Sequence, residues 1–271
     1  MVSERLTEGE TSLDLIRIVL IDTRHPGNIG ATARAMKNMG LKHLYLVDPK
    51  LYPDPQAKAR AASAEDILDN AVVCDTLSQA IDECVLVVGS SARERRIPWP
   101  LFEARVAAER VIEEAKSLAR LTSESNAPIA ILFGREDRGL TNEELQRCNY
   151  HMTIPTCPVY SSLNLASAVQ VFSYELRMAA HSFEQDSKSA LWDVPPAAAD
   201  DLERYYQHLK EVLSKIEFID VKAPRQVMVR FRRLYNRIRP DQMELAMLRG
   251  MLTQIEKKIS SSKTGSQSTD T

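Results

Sequence analysis

The chain has 271 residues, of which 44% are apolar and 27% charged, with a formal net charge of −2 at pH 7. That length holds one large domain or a medium domain with a small one, and that composition builds a real core, which excludes a disordered or collagen-like chain. A balance this near neutral assigns no partner by itself, so any binding surface must come from local clustering of charge.

The opening stretch "MVSERLTEGET" lacks an apolar centre and does not read as a signal peptide, and no run approaches the roughly 18 apolar residues that span a bilayer. A cytoplasmic protein with no membrane partner is expected. The four cysteines, Cys74, Cys84, Cys148 and Cys157, form no C-x-x-C pair and have no histidine at a zinc-ligand spacing. They are expected to be buried free thiols in a reducing compartment, and no metal site is expected.

In chain order, "LIRIVLID" (15–22) is a β-branched apolar run that predicts a buried strand. "HLYLVD", "AVVCD", "VLVVGSS" and "IAILFG" predict the same, and "YHMTIP" from Tyr150 predicts a short sixth strand. Helical patterns fall between them at about 29–39, 76–83, 101–120 and 141–148. Alternation of this kind implies an α/β fold, a parallel sheet with helices on both faces. "NLASAVQVFSYELRMAAHSF" predicts a long helix that buries its Ala, Val, Phe, Tyr and Leu face. The α/β domain is expected over 15–181, followed by a linker at 182–199 that contains Pro195-Pro196. A small all-helical extension then covers 200–258, with Asp200 or Asp201 as the first N-cap and further helices near 224–238 and 241–258. Residues 1–11 and 260–271 are expected to be disordered tails.

Three blocks carry polar residues beside strand ends. The first, "HPGNIGATARAMKNMG", follows the first strand. Its Gly27-x-x-Gly30 spacing is not the G-x-G-x-x-G of a dinucleotide site, and no phosphate loop, H-E-x-x-H or G-x-S-x-G occurs anywhere. Alone, it is explained by turn glycines with Asn28 as a helix cap. The second, "ILFGREDRGLTNEEL", places a charged loop between Gly134 and Gly139 at the carboxyl end of a strand, before the Thr141–Glu144 capping box. The third, "IPTCPVYSSLNLASAVQ", puts Ser161, Ser162 and Asn164 where the long helix begins and exposes its N–H groups. Taken singly, Ser162 there is a cap.

Together, "GNIGATARA", "FGREDRGL" and "IP…SSLNLASA", in this order, resemble the three motifs of the SPOUT methyltransferases. The closest likeness is to the TrmJ family of tRNA cytidine/uridine 2′-O-methyltransferases. "VVGSSARERRIPWP" and the segments "DLERYYQHL" and "FRRLY" extend the resemblance over about 15–258. It implies a deep trefoil knot, which pattern alone would not suggest because chain connections almost never thread. It also implies S-adenosylmethionine as cofactor, a homodimer, and methylation of tRNA at a cytidine or uridine of the anticodon loop, position 32.

By the same resemblance Arg34, Asn28, Glu136, Ser162 and Asn164 form the active site, with Arg34 activating the 2′-hydroxyl. A guanidinium rarely releases its proton, so binding a phosphate and steadying the developing oxyanion is the physically easier role. Glu136 either orients Arg34 or holds the first loop. The cofactor pocket is expected from Ser90, Ser91, Ala92, Gly134, Ile154, Ser161, Ser162 and Leu163, and Gly27 and Gly30 are expected to admit RNA backbone. On the substrate side, "KAPRQVMVRFRRLYNRIR" (222–239) holds seven cations and no acid, interleaved with Phe231 and Tyr235. Arg225, Arg230, Arg232, Arg233 and Arg237 there, with Arg93, Arg95 and Arg96 of "SARERR", are the expected RNA contacts; DNA is not expected. A 2′-O-methyltransferase for another tRNA or ribosomal RNA site stays open on sequence, as does an RNA-binding protein with an inactive pocket.

Overall fold

The computed structural model describes residues 12–91, 99–121, 128–182, 194–219 and 226–265. Seven strands form one sheet: β1 (Ile16–Ile21), β2 (His43–Val47), β3 (Val72–Cys74), β4 (Leu86–Ser90), β5 (Leu101–Glu103), β6 (Ile129–Phe133) and β7 (Tyr150–Thr153). Their spatial order is β3-β2-β1-β6-β4-β7-β5, and every pairing is parallel. At the centre, Ile18 is in register with Leu44 on one side and Ile131 on the other.

The helices around the sheet are α1 (Pro26–Met39), α2 (Pro55–Ala61), α3 (Glu65–Asp69), α4 (Leu77–Ile81), α5 (Ala104–Leu121), α6 (Asn142–Leu145) and α7 (Leu165–Ser182). Successive residues of β1 serve opposite faces, as a pleat requires. Ile16, Ile18 and Leu20 join a core with α1, α5 and α7, while Val19 and Ile21 join a second core with Ala80, Cys84, Cys148 and Leu145. Burial pushes the Cys84 thiol up to about 12, which keeps it an inert protonated packing group. Cys157 is exposed, against expectation.

Several elements differ from expectation for identifiable reasons. "AVVCD" forms a sheet edge, where Val72 and Val73 stand exposed, because no strand pairs beyond it. Tyr174 of α7 is likewise exposed rather than buried, whereas Val169, Phe172 and Leu176 are in the core. Helix α1 starts at Pro26, three residues earlier than the apolar period suggests, because proline is favoured in the first turn. The short β5, α2 and α3 have no strong period and escape the sequence pattern.

The extension consists of α8 (Ala199–Lys215), α9 (Val227–Ile238) and α10 (Gln242–Gly265), around Leu202, Tyr205, Tyr206, Leu209, Val212, Leu245 and Leu252. It is docked on the body. The Ala199 and Asp200 N–H groups donate to the carbonyls of Cys84 and Asp82, at 2.8 and 3.3 Å. Those bonds satisfy the free end of α8, so Ala198 is its N-cap without a side-chain bond, and Asp200 and Asp201 pair with Arg204 instead of capping. On the far side, Asn236 Nδ2 donates to the carbonyls of Gln146 and Cys148 at 3.0 and 3.1 Å, and Arg239 meets the fully buried Glu114 at 2.7 Å. The α10 helix continues to Gly265, beyond Ser260 where a disordered tail is expected. No helix of the described residues is long and apolar enough to cross a membrane.

Candidate active site

The carboxyl ends of β4, β6 and β7 open on a solvent-facing cleft with a cavity volume of about 240 Å³. Ser90, Ser91, Gly134, Ile154, Ser161, Ser162 and Leu163 all line it, as does Glu136; Ala92 lies outside the described residues. Sequence reasoning missed Arg135, Asp137, Arg138, Thr156 and Ala168 on the same wall. The cofactor-pocket residues named from three separate stretches of chain therefore converge on one space. Ile154 and Leu163 give it apolar walls, and the serines and backbone give it polar edges.

The second block is a turn folded back on itself. Arg135 N donates to Gly139 O at 3.3 Å, and Gly139 N returns a bond to Arg135 O at 2.9 Å. A Cβ on Gly134 would lie 2.1 Å from the Gly139 carbonyl carbon, and Gly139 has φ +70°, in the left-handed region. Both glycines of the block are thus demanded by the turn.

From that turn Glu136 reaches into the first block. Its carboxylate accepts from the N–H groups of Arg24 and His25, at 3.3 and 3.2 Å, and from Asn28 Nδ2 at 3.0 Å. Partial burial would raise the Glu136 pKa. The hydrogen bonds from Asn28 and from the backbone outweigh it and hold the carboxyl below its ordinary value. Glu136 therefore holds the first loop and does not touch Arg34. Asn28 sits in the first turn of α1 rather than at its cap, which is His25.

The third block closes the chain of bonds. Asn164 Nδ2 donates to Asn28 Oδ1 at 3.0 Å, while Asn164 Oδ1 accepts from the N–H groups of Ala166 and Ser167 and caps α7. Each amide orientation is dictated by its neighbours, since a carboxylate only accepts and a backbone N–H only donates. The capping role falls to Asn164, leaving Ser162 exposed on the cleft.

Arg34 is exposed on α1, makes no hydrogen bond or ion pair among the described residues, and does not line the cleft of its own chain. Gly30 does not admit RNA, as was expected of it. A Cβ there would lie 2.0 Å from the Ala57 carbonyl oxygen, so the space is filled by α2. Beside Gly27 stand Arg60 Cγ and Gln56, each 3.7 Å from where a Cβ would lie.

Among the expected RNA contacts, Arg93, Arg95, Arg96 and Arg225 lie outside the described residues. Arg230 and Arg237 are exposed and Arg233 is half-buried. Arg232 is engaged within the extension instead. It forms a bidentate pair with Glu203 at 2.6 and 2.7 Å and lies 4.6 Å from the Tyr206 ring centroid. Phe231 and Tyr235 pack into the helical core, with Tyr235 edge-on to Tyr205, so they are not free to stack on bases.

Residues 15–174 match the SpoU rRNA Methylase family, and residues 200–264 match the C-terminal domain of the tRNA methyltransferase TrmJ. The tRNA (cytidine/uridine-2′-O-)-methyltransferase TrmJ of Yersinia enterocolitica is 51% identical over 90% of this chain and 92% of its own. The chain belongs to the TrmJ family of SpoU methylases. The TrmJ of Sodalis glossinidius is 54% identical over 89% of this chain and 91% of its own. The crystal structure of TrmJ from Zymomonas mobilis ("Z. mobilis ZM4") superposes with a TM-score of 0.73 at 30% identity, covering 89% of this chain and 99% of that one. The TrmJ likeness thus includes the docked helical extension as well as the sheet.

Proposed function

We propose that this chain is an S-adenosylmethionine-dependent tRNA 2′-O-methyltransferase acting on a cytidine or uridine of the anticodon loop, in the cytoplasm, as a homodimer. The observation that carries the reading is the bonded chain Glu136, Asn28, Asn164 at the rim of the cleft, which ties all three motifs to one place. The trefoil knot of the SPOUT fold belongs to the same reading, supported by the family match over 15–174.

The cleft residues fit the cofactor. Gly134 and the 154–163 segment bring backbone groups and apolar walls together on one cleft. When bound, S-adenosylmethionine supplies a methyl already activated by the positive sulfur. The protein must then hold the ribose oxygen in line with that methyl, at about 3–3.5 Å, and stabilise charge on the oxygen as its proton leaves. Asn28 and Asn164 hold the rim of the cleft in one geometry. Ser162, exposed on the cleft, is placed to hydrogen-bond the ribose. Arg34 binds the neighbouring phosphate and stabilises the developing oxyanion.

Two features support the dimer. Arg34 lies off its own cleft, and α7 presents an apolar stripe, Val171, Tyr174 and Met178, at 36%, 47% and 42% exposure. A second copy covering that stripe would bring its own Arg34 to this cleft. The RNA-binding residues of α9 are Arg230, Arg233 and Arg237; Arg93, Arg95 and Arg96, outside the described residues, are proposed as further contacts. The test is mass spectrometry of nucleosides from unmodified tRNA incubated with the protein and labelled cofactor. Labelled 2′-O-methylcytidine or 2′-O-methyluridine is expected; label absent from tRNA, or appearing only when ribosomal RNA is incubated in its place, overturns the reading.

A further inference from the structure

Arg135 stands beside Glu136 on the same turn but faces the other way. Its side chain is only 15% exposed, and the guanidinium is held between two carboxylates from different elements. Nε donates to Asp22 at 2.7 Å, and Nη1 donates to both oxygens of Glu144 at 3.0 Å. Asp22 directly follows β1, with φ +50°, so its backbone already takes the left-handed turn that sends the chain toward His25 and Asn28. Lys50 approaches Asp22 from the end of β2 at 3.1 Å. Glu144 is itself the inner half of the capping box that starts α6.

We infer that Arg135 is a positioning residue for cofactor binding: it clamps the Gly134–Gly139 turn to the end of β1 and the start of α6, and so sets the wall that the cofactor meets. Glu136 ties the turn to the catalytic side, yet it fixes only one edge. Without a second anchor the turn pivots about the Glu136 bonds, and Gly134 and Gly139, which both line the cleft, move with it. Arg135 supplies the opposing anchor, with a planar fork that meets two carboxylates at once. An ammonium, being a point charge, holds one of them well and the other poorly. Arg135 is itself among the residues that line the cleft, so the clamp acts on the wall at the residue that carries it. Lys50 is shared between Asp22 and Asp48, at 3.1 and 2.6 Å, so Arg135 is the cation that Asp22 and Glu144 hold in common.

The inference rests on the cleft being the S-adenosylmethionine site, and the experiment separates the two. Calorimetric affinity for S-adenosylmethionine is measured on the full chain and on Arg135→Lys, Asp22→Asn and the double variant, all of which preserve side-chain volume. Methylation kinetics and tRNA affinity are followed in parallel. Each single variant is expected to weaken cofactor binding about tenfold, and the double variant no more than the worse single, because both break the same ion pair. KM for the cofactor is expected to rise by more than kcat falls, with tRNA affinity kept. Multiplied penalties in the double variant, unchanged cofactor affinity, or a parallel loss of tRNA affinity would each overturn the clamp. Failure of the unsubstituted chain to bind S-adenosylmethionine would instead overturn the site itself.

Discussion

The amide of Asn164 donates to the side chain of Asn28 at 3.0 Å, across 136 positions of the chain, while its own oxygen caps α7. One side chain thus serves stability and geometry through different atoms, and the two are separable. Asn164→Ala removes both and is expected to lose about 1 kcal/mol of stability through the missing cap, together with most methylation activity. Asn164→Asp keeps a capping oxygen but has no donor for Asn28, so it should regain the stability and not the activity. Denaturant unfolding alongside a methylation assay checks the split.

Glu136 gives a pH dependence with a defined sign. Its carboxyl is held below the ordinary value of 4.5 by Asn28 and backbone donors, against the opposing effect of burial. A group depressed on folding contributes stability that is fully present above the unfolded pKa and is lost as pH falls through the folded one. Unfolding midpoints of the native chain should therefore drop on acidification below about pH 4.5. Glu136→Gln, which has no charge to lose, should start lower and show a flatter profile in that window.

Arg34 lies off the cleft of its own chain, and in the proposed dimer it acts on the partner's. Arg34→Ala is expected to abolish methylation with cofactor affinity nearly unchanged, since the residue is absent from the cleft wall. Gly134→Val should fail to bind cofactor, because even a Cβ there lies 2.1 Å from Gly139 backbone. Mixed dimers of the two inactive chains should regain activity at the one composite site that holds an intact cleft and an intact arginine. Mixtures that stay silent after confirmed subunit exchange would place Arg34 in cis.

Most strands and the long helices were legible because apolar runs and 3.6-residue periods report burial directly, as in Ile16–Ile21 and Leu165–Ser182; the strand order was not, since an apolar run does not name its neighbour. The cleft-lining and bridging residues were legible only as a set, since no single motif outweighs a turn or a cap. What escaped was whatever depends on a distant neighbour. Asn28 reads as a cap until Glu136 and Asn164 are seen beside it. Gly30 reads as space for a ligand until Ala57 is found in it. Arg232 reads as a phosphate contact until Glu203 meets it. The extension reads as tethered because backbone bonds such as Ala199 N to Cys84 O leave no residue-type signature.

The two glycines of the first block should respond oppositely. Gly30→Ala drives a methyl into the Ala57 carbonyl at 2.0 Å, and backbone cannot step aside as a side chain can. A loss of about 1–3 kcal/mol is expected as α2 is displaced. Gly27→Ala meets only the stem of Arg60 and the end of Gln56 at 3.7 Å, an ordinary contact, and should fold normally. Equal unfolding midpoints for the two variants would contradict the packing of α2 on α1.

The arginines of α9 divide into those facing solvent and those committed to packing, and substitution should tell them apart. Arg230 and Arg237 are exposed, so the double alanine variant should keep its stability and bind tRNA more weakly. The slope of log affinity against log salt should become shallower by about 0.7–0.9 for each phosphate no longer neutralised. Arg232 is held by Glu203 and lies over Tyr206, and its guanidinium keeps the Glu203 carboxyl below its ordinary value. Arg232→Ala strands that half-buried carboxylate and removes a stacked plane, for a stability loss of about 1–3 kcal/mol. Its stability deficit should shrink as pH falls through the depressed Glu203 value, because protonation of Glu203 already weakens the pair in the native chain. If Arg232→Ala instead unfolds like the native chain and flattens the salt slope as Arg230 does, the side chain leaves Glu203 for RNA.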